Sequence, residues 1–353
     1  MMLKNKMDDS EIYCKLGEIL YDDRFAFDRF RSAAYNEVNE ILNQIKKSAI
    51  VFLGDSVLNF TDPKESVQTS VPRYFSSQCK GKIYNFSAGS FSFHLHSVLF
   101  KRFSDEFSQA LKGKVILFEI NPRWFSDEWY IRPSYTFKHV EGFFSENKYD
   151  IVKLIFSDTL SRKTENFYNL PLTSDITSFE QFSSLETIKD VFNYFKSNPN
   201  KYNHQFDFYY GYSLPRLKSR ISEMDFVLSF IRSLGTSTHT LFYFVPLNYR
   251  NISTVLNERI RTNVEFLGKH LEEYGFDYLN LTGEISNYDY FLDKEHLKSD
   301  GRKILANSLA KKISPKMYHT LNSNVDHYCG GYLRQIEPVL FRKYASKYAE
   351  LIS

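Results

Sequence analysis

The sequence predicts an α/β protein in which a five-stranded parallel sheet lies between two layers of helices. Two observations lead to this three-layer α/β/α prediction. Five short runs are apolar on both faces, as expected for strands covered by helices on either side. Helical patterns separate these runs, and such alternation is typical of α/β folds. The runs are Ala49–Gly54, Lys82–Phe86, Lys114–Ile120, His239–Val245 and Phe276–Leu281.

The helices between these strands follow from apolar periodicity and from glycines at their ends. Gly235 and Gly275 each follow a periodic segment, as glycines do when they cap the carboxyl end of a helix. The predicted helices are Asn36–Lys47, Phe93–Leu111, Arg216–Leu234, Val255–Tyr274 and Ser299–Ile313.

One long interval breaks the alternation. Residues 126–215 are rich in Phe, Tyr, Ser and Asn, and we interpret them as a helical insertion that caps the carboxyl edge of the sheet. The predicted organisation is therefore an N-terminal helical segment (1–48), an α/β domain (49–316) that contains the insertion, and a C-terminal helical extension (317–353).

Composition and charge argue against several classes of protein. The chain has 45 Lys and Arg against 42 Asp and Glu, a net charge of +3, so nucleic-acid binding is not expected. Cys14, Cys79 and Cys329 form neither a disulfide framework nor a zinc spacing. No run approaches the ~18 apolar residues of a membrane span, and acidic residues interrupt the N-terminal stretch before a signal-peptide core forms. We expect a cytoplasmic protein, with peripheral membrane association left open.

The first strand ends in a tripeptide that can place a hydroxyl at the sheet edge. Gly54-Asp55-Ser56 follows the apolar run, and open α/β sheets bind ligands at the carboxyl ends of their strands. A helix starting here would point its free N–H groups at an anion beside the serine. The alternative is structural, since Asp55 or Ser56 could simply cap that helix.

A second signal lies in the loop before the last predicted helix. Asp293 and His296 are three residues apart in the stretch LDKEHLKSD. A nucleophilic serine needs a base within roughly 3 Å and a carboxylate that fixes the tautomer of that base. A short Asp-x-x-His turn can supply both groups, although an ordinary polar loop would look the same.

Two further candidates follow the second and third strands. The backbone N–H groups of Ser56 and Gly89, with the side-chain amide of Asn121, would form an oxyanion hole for a tetrahedral intermediate. Gly89 alone is an ordinary turn glycine, and Asn121 alone an ordinary loop residue. Together with the serine and the histidine they favour one site at the carboxyl edge of the sheet.

In these four blocks the chain resembles the SGNH, or GDSL, hydrolase superfamily. Gly54-Asp55-Ser56 resembles the first block, Gly89 the second (with Ser90 as the alternative), Asn121 the third and Asp293-Lys-Glu-His296 the fourth. The resemblance implies a flavodoxin-like fold, no metal or other cofactor, and ester chemistry through a serine-bound acyl intermediate. Ser56 would be the nucleophile, His296 its base, and Asp293 the carboxylate that positions the base.

A narrower resemblance adds a substrate class. The stretches NPRWF from Asn121, FVPLN from Phe244 and NLT from Asn280 are similar to the D-alanyl-transfer proteins of teichoic-acid alanylation and to related polysaccharide acyltransferases. This implies a carbohydrate or cell-envelope polymer as substrate. Arg123 is then expected at the pocket rim to bind a phosphate or carboxylate, and Trp124 to stack on a sugar ring. The alternative is a solvated Arg123 and a Trp124 packed under the insertion.

The sequence therefore predicts a serine-dependent esterase or O-acyltransferase. The second hypothesis is a catalytically inactive protein of the same fold that binds or scaffolds components of polysaccharide or envelope assembly, because fold does not guarantee activity. Association with a membrane acyltransferase or with a second copy of the chain is compatible with both. His94 and His96 do not predict a metal site, since residues two apart point to different faces of a helix.

Overall fold

The computed structural model describes residues 24–79, 81–126, 129, 140, 144, 210–250, 252–313 and 325–328. Within these residues the protein is α/β with one all-parallel sheet, which confirms the predicted α/β class and the parallel direction of the strands. Most of the predicted insertion (126–215) and most of the predicted C-terminal extension (317–353) lie outside the described residues.

The sheet has six described strands, so the prediction of five is wrong by one. The first five overlap the predicted runs. The sixth lies in the segment predicted as a helical extension, because a three-residue strand carries too little pattern to be recognised in sequence. The strands are β1 (Ile50–Gly54), β2 (Ile83–Ser87), β3 (Val115–Ile120), β4 (His239–Phe244), β5 (Tyr278–Asn280) and β6 (Val325–His327).

The strand order is β5-β4-β3-β1-β2-β6, with β1 between β2 and β3. Ile50 of β1 pairs with Ile83 of β2 and with Val115 of β3, and the register continues along each pair without interruption. Because all strands run in the same direction, their carboxyl ends meet at one edge of the sheet. The segments that follow β1, β2, β3 and β4 therefore converge there.

Helices connect these strands. Within the described ranges they are α1 (Arg24–Lys47), α2 (Ser56–Asn59), α3 (Val71–Ser76), α4 (Phe93–Arg102), α5 (Ser104–Leu111), α6 (Leu214–Lys218), α7 (Ser222–Ser233), α8 (Thr254–Glu273) and α9 (Ser299–Lys312). The predicted helix Phe93–Leu111 is divided at Phe103, which leaves helical geometry with ψ of 44°. Gly235 and Gly275 both have φ of 81°, which confirms them as left-handed caps. None of the described helices is long and apolar enough to cross a membrane.

Aromatic side chains fill much of the core. Every residue of β1 and of β2 is buried, and because neighbouring residues of a strand point to opposite faces, both faces of these strands are covered. The Phe118 ring on β3 stacks between Phe93 and Phe242, with centroid distances of 5.3 Å on both sides. Each such ring removes a large apolar area from water, and this burial stabilises the strands that carry the site.

Candidate active site

Ser56 begins α2 directly after β1. Asp55 caps this helix, because its Oδ1 accepts a hydrogen bond of 2.9 Å from Val57 N. The turn requires glycine at position 54, since a Cβ there would lie 2.3 Å from Glu119 Oε2. The end of the strand and the start of the helix therefore place the partly exposed Ser56 at the sheet edge.

His296 reaches Ser56 from 240 residues further along the chain. Ser56 Oγ lies 2.8 Å from His296 Nε2, and His296 Nδ1 lies 2.7 Å from Asp293 Oδ2. Because Asp293 can only accept from Nδ1–H when ionised, Nε2 is left as the acceptor for the serine hydroxyl. The three predicted catalytic residues thus lie together with the geometry of a Ser-His-Asp triad.

The loop that carries this histidine is held from two sides. Asp293 Oδ1 accepts hydrogen bonds from the backbone N–H groups of Glu295 (3.0 Å) and His296 (2.8 Å). Asn248, which follows β4, donates its side-chain amide to the Asp293 carbonyl (2.8 Å) and its backbone N–H to the Lys294 carbonyl (2.9 Å). The loop is therefore tied to the same sheet edge as Ser56.

The charges around this pair favour an ionised aspartate and a strengthened base. Burial lowers the pKa of His296, but the hydrogen bond to Asp293 and the nearby carboxylates outweigh it and raise the pKa above the ordinary 6.5. Burial raises the pKa of Asp293, but the hydrogen bond and charge of His296 hold it below the ordinary 3.8. The imidazole is therefore a stronger proton acceptor than an isolated histidine.

A buried polar network lies beneath Ser56. Asp55 Oδ2 accepts from Asn121 Nδ2 (3.0 Å) and from Trp124 Nε1 (2.9 Å). The backbone N–H of Asp55 donates to Glu119 Oε2 at 3.2 Å. Burial, together with the charge of Asp55, raises the pKa of Glu119 well above the ordinary 4.5, which favours the neutral acid. Asp55 therefore caps the helix and also links β1 to the segment after β3.

Glu295 is a second buried carboxylate, next to the histidine in sequence. It accepts from Arg123 Nη1 (2.7 Å), Asn121 Nδ2 (2.9 Å) and the Tyr210 hydroxyl (2.5 Å). Burial raises its pKa, but the charge of Arg123 and then that of His296 and the two polar partners lower it below the ordinary 4.5. An ionised Glu295 therefore adds a negative charge close to the base.

An open cavity of about 700 Å³ adjoins the serine. Ser56, Phe60 and Gly89 contribute to its lining, and the Phe60 ring also packs 4.7 Å from the His296 imidazole. Ser90, the alternative to Gly89, is not part of this lining and has a φ of 71°, a left-handed conformation that is uncommon outside glycine. The structure thus brings Gly89, rather than Ser90, to the cavity that contains the serine.

The chain matches no known protein family and no curated protein in comparisons with both.

Asn121 does not have the position that the oxyanion-hole prediction requires. The two protons of its side-chain amide are donated to the carboxylates of Asp55 and Glu295, and the residue is fully buried. A buried carboxylate without donors is costly, so the amide is turned inward. As placed, this side chain joins the two carboxylates and does not point at the serine.

Arg123 and Trp124 are also turned away from the pocket rim, which corrects their predicted position. The Arg123 guanidinium pairs with Glu295 and lies over the Trp129 ring, 5.4 Å from its centroid. Trp124 is 4% exposed and packs edge-on against Phe93, with its N–H used by Asp55. Neither side chain is among the described residues that line the cavity.

Sequence reasoning missed several residues of the site. Glu295 was given no role, although its place inside the Asp-x-x-His block was an available signal. Glu119 lies within the predicted strand Lys114–Ile120, and nothing in the sequence marks it as part of the site. Arg73 and His327 line the cavity from α3 and β6, and no motif marks either of them. Only the folding of the chain brings them to Ser56.

Proposed function

We propose that the protein is a serine-dependent ester hydrolase or O-acyltransferase that works through an acyl-Ser56 intermediate. One observation carries the proposal: two consecutive hydrogen bonds, of 2.8 Å and 2.7 Å, join Ser56 to His296 and His296 to Asp293 beside an open cavity. A serine hydroxyl is a weak nucleophile unless a base is within hydrogen-bond reach and is itself oriented by a third group.

The proposed reaction has two halves. His296 Nε2 takes the proton of Ser56 as Oγ attacks the ester carbonyl, and the imidazolium then returns that proton to the leaving alkoxide. Water or an acceptor hydroxyl next attacks the acyl-enzyme, with the same nitrogen as base, and Ser56 regains its proton. A positioned base contributes roughly 10²- to 10⁴-fold in rate, and the raised pKa of His296 fits this role.

Backbone groups are the better candidates for the oxyanion hole. Ser56 and Gly89 both line the cavity, and neither of their backbone N–H groups is hydrogen-bonded within the described part of the chain. They can therefore donate to the developing oxyanion, and loss of one such donor typically costs about 3–4 kcal/mol in the transition state. These two backbone N–H groups can bind the oxyanion without the side-chain amide of Asn121.

The strand order supports the SGNH-like part of the proposal. Without β6, the order is β2-β1-β3-β4-β5, which corresponds to the flavodoxin-like doubly wound order. In such sheets ligands bind at the carboxyl ends, where the direction of the strand order reverses. Ser56 follows β1, next to β3, at this point. A carbohydrate or envelope-polymer substrate rests on the resemblance described above, and the polar lining of the cavity is compatible with it.

Labelling with a fluorophosphonate probe tests the proposal. Wild type should form an adduct on Ser56 and hydrolyse 4-nitrophenyl acetate, whereas Ser56→Ala should do neither. Ser219→Ala is a matched control, since this exposed hydroxyl donates to a local carbonyl, that of Arg216, and its loss should leave both readouts unchanged. Equal turnover by wild type and Ser56→Ala would contradict the proposal.

A non-catalytic binding protein is the second candidate. The engagement of Asn121 by two carboxylates favours it, because one expected oxyanion donor is then absent. Folded protein that shows no adduct on Ser56 and no turnover across acetyl to octanoyl esters would favour this candidate over the enzyme.

A further inference from the structure

We propose that Asn59 is a positioning residue for the oxyanion hole, because its side-chain amide fixes the turn that carries Gly89 relative to Ser56. This role rests on the proposed function, in which the backbone N–H groups of Ser56 and Gly89 are the two oxyanion donors. A misplacement of about 1 Å in a catalytic site can cost roughly 10²-fold in rate. A side chain that sets the distance between the two donors therefore contributes to catalysis without contacting the substrate.

The two donors follow neighbouring strands of the sheet. β1 and β2 pair in parallel, and their last paired residues are Gly54 and Ser87. Beyond this pair the first segment enters α2 at Ser56, and the second enters the turn that contains Gly89. The hydrogen bonds of the sheet therefore end before either donor is reached, and the distance between the donors depends on contacts outside the sheet.

Asn59 provides such a contact. It is the last residue of α2, and the hydrogen bond of 2.7 Å from Phe60 N to Ser56 O closes the helical turn between it and the nucleophile. Asn59 Nδ2 donates to the Ser87 carbonyl at 2.6 Å and to Ser87 Oγ at 2.8 Å. Ser87 ends β2, two residues before Gly89. The amide thus joins the helix that begins at the nucleophile to the start of the turn that carries the second donor.

The orientation of this amide is set by a backbone carbonyl. Ser87 O can only accept, so the nitrogen of Asn59 faces it, and Asn59 Oδ1 accepts from Asn85 Nδ2. Ser87 Oγ in turn donates to Asn85 Oδ1 at 3.0 Å. The three side chains form a closed ring. Because Asn85 and Ser87 are fully buried and an unmade hydrogen bond there is costly, the ring favours one position of Asn59.

Asn59 acts through the turn and not on the substrate. It lines the cavity, but both protons and the oxygen of its amide are used within the ring. Loss of the amide removes both of its hydrogen bonds to Ser87 and releases the turn that starts there. Gly89 N–H would then move relative to Ser56 N–H, while the catalytic histidine and aspartate, on another loop, keep their hydrogen bond. The expected result is slower chemistry with an unchanged base.

Ester kinetics of Asn59→Leu and Asn59→Ala test this role. Leucine nearly keeps the size of the side chain and removes its hydrogen bonds without adding charge, and alanine is the second variant should leucine prevent folding. Either change should lower kcat for 4-nitrophenyl acetate about tenfold or more, with KM changed less than about twofold. Rates are divided by the number of Ser56 sites that a fluorophosphonate probe labels, which corrects for unfolded protein.

The pH at which hydrolysis is half-maximal should be the same in wild type and in the Asn59 variants, because the base is untouched. Asn257→Ala is the matched control, since Asn257 is an exposed asparagine on α8, and it should change neither the rate nor the pH profile. A purely structural role of Asn59 would lower the number of labelled sites but leave kcat per labelled site unchanged.

A second test observes the donor directly by NMR. The chain has 14 glycines, so ¹⁵N labelling of glycine gives a simple spectrum, and the signal missing from Gly89→Ala identifies Gly89. When a fluorophosphonate has reacted with Ser56, a phosphonyl oxygen occupies the place of the oxyanion. The Gly89 amide proton of wild type should then move downfield, and in Asn59→Ala it should move less. The signal of Gly235, which precedes β4 at the other edge of the sheet, should be the same in both proteins.

The outcomes separate this role from the proposed function. If wild type takes the label and hydrolyses the ester while the Asn59 variants keep its kcat, the role of Asn59 is wrong and Ser56 catalysis stands. A lower kcat with a shifted pH profile, or an equal downfield change of Gly89 in both proteins, also overturns the role. If folded wild type neither takes the label nor hydrolyses the ester, the proposed function itself is wrong, and the role of Asn59 is wrong with it.

Discussion

Replacement of Glu295 by glutamine tests whether the buried carboxylates below Ser56 support both the fold and the base. The native side chain accepts from Arg123, Asn121 and Tyr210. Glutamine has nearly the same side-chain volume, but only one of its two terminal atoms is an acceptor. Its NH₂ group must therefore face one of the groups that donate to Glu295 in the native protein. The Tyr210 hydroxyl can reverse and accept, whereas Arg123 and the Asn121 amide nitrogen cannot.

The expected loss of stability follows from burial. The Arg123 and Glu295 side chains are 15% and 4% exposed, so solvent screens their interaction only weakly. Removal of one member of a buried pair typically costs 3–5 kcal/mol. Because glutamine keeps one acceptor, we expect about 3 kcal/mol at pH 7. The pKa of Glu295 is lower in the folded state than its ordinary value of 4.5. This stabilisation is therefore fully present above pH 4.5 and is lost as the pH falls through the pKa of Glu295 in the folded protein.

Urea unfolding at pH 7 measures this change. With a slope of about 3 kcal/mol per M, the midpoint should fall by roughly 1 M. Glu265→Gln is the matched control, because its pair with Arg261 is 58% and 69% exposed at 3.8 Å and should contribute about 0.5 kcal/mol or less. Because the charge of Glu295 raises the pKa of His296, the pH at which labelling is half-maximal should also fall in Glu295→Gln. An unchanged midpoint together with an unchanged pH profile would refute this reasoning.

Three further predictions concern the site. Gly54→Ala should destabilise the protein by about 1–3 kcal/mol, because the new Cβ would lie 2.3 Å from Glu119 Oε2. Gly283→Ala is the control and should not destabilise the protein, because a Cβ at position 283 meets no atom within 4 Å. Thermal unfolding of the two variants measures the difference. Ester hydrolysis should rise with pH to a plateau with its half-point above 6.5, because the base must be neutral and the pKa of His296 is raised; a half-point below 6.5 would contradict this. Asp293→Asn should lower kcat by about 10⁴-fold by reversing the imidazole tautomer, with the unfolding midpoint nearly unchanged, since its Oδ1 still accepts from two backbone N–H groups.

Local signals were sufficient to predict much of this protein. Runs that are buried on both faces predicted five of the described strands, and glycines after periodic segments predicted two helix caps. Ser56, Asp293 and His296 were predicted from four short segments taken together and from their resemblance to one hydrolase superfamily, since each segment alone could be an ordinary cap or loop. Asp55 caps α2 by accepting from the backbone N–H of Val57, two residues later, and Asp293 accepts from two backbone N–H groups of its own turn. Local turns and caps of this kind can be predicted without knowledge of distant contacts.

Other features were decided only by tertiary structure. Asn121, Arg123 and Trp124 were expected to face the pocket, but they turn inward because Asp55 and Glu295, distant in sequence, are buried there and need donors.

His327 reaches the cavity because β6 adds to the sheet beside β2, at a distance of 242 residues from Asn85. The direction of a polar side chain depends on which charges are buried near it. That information is absent from the local pattern and arises only when the chain has closed around the site.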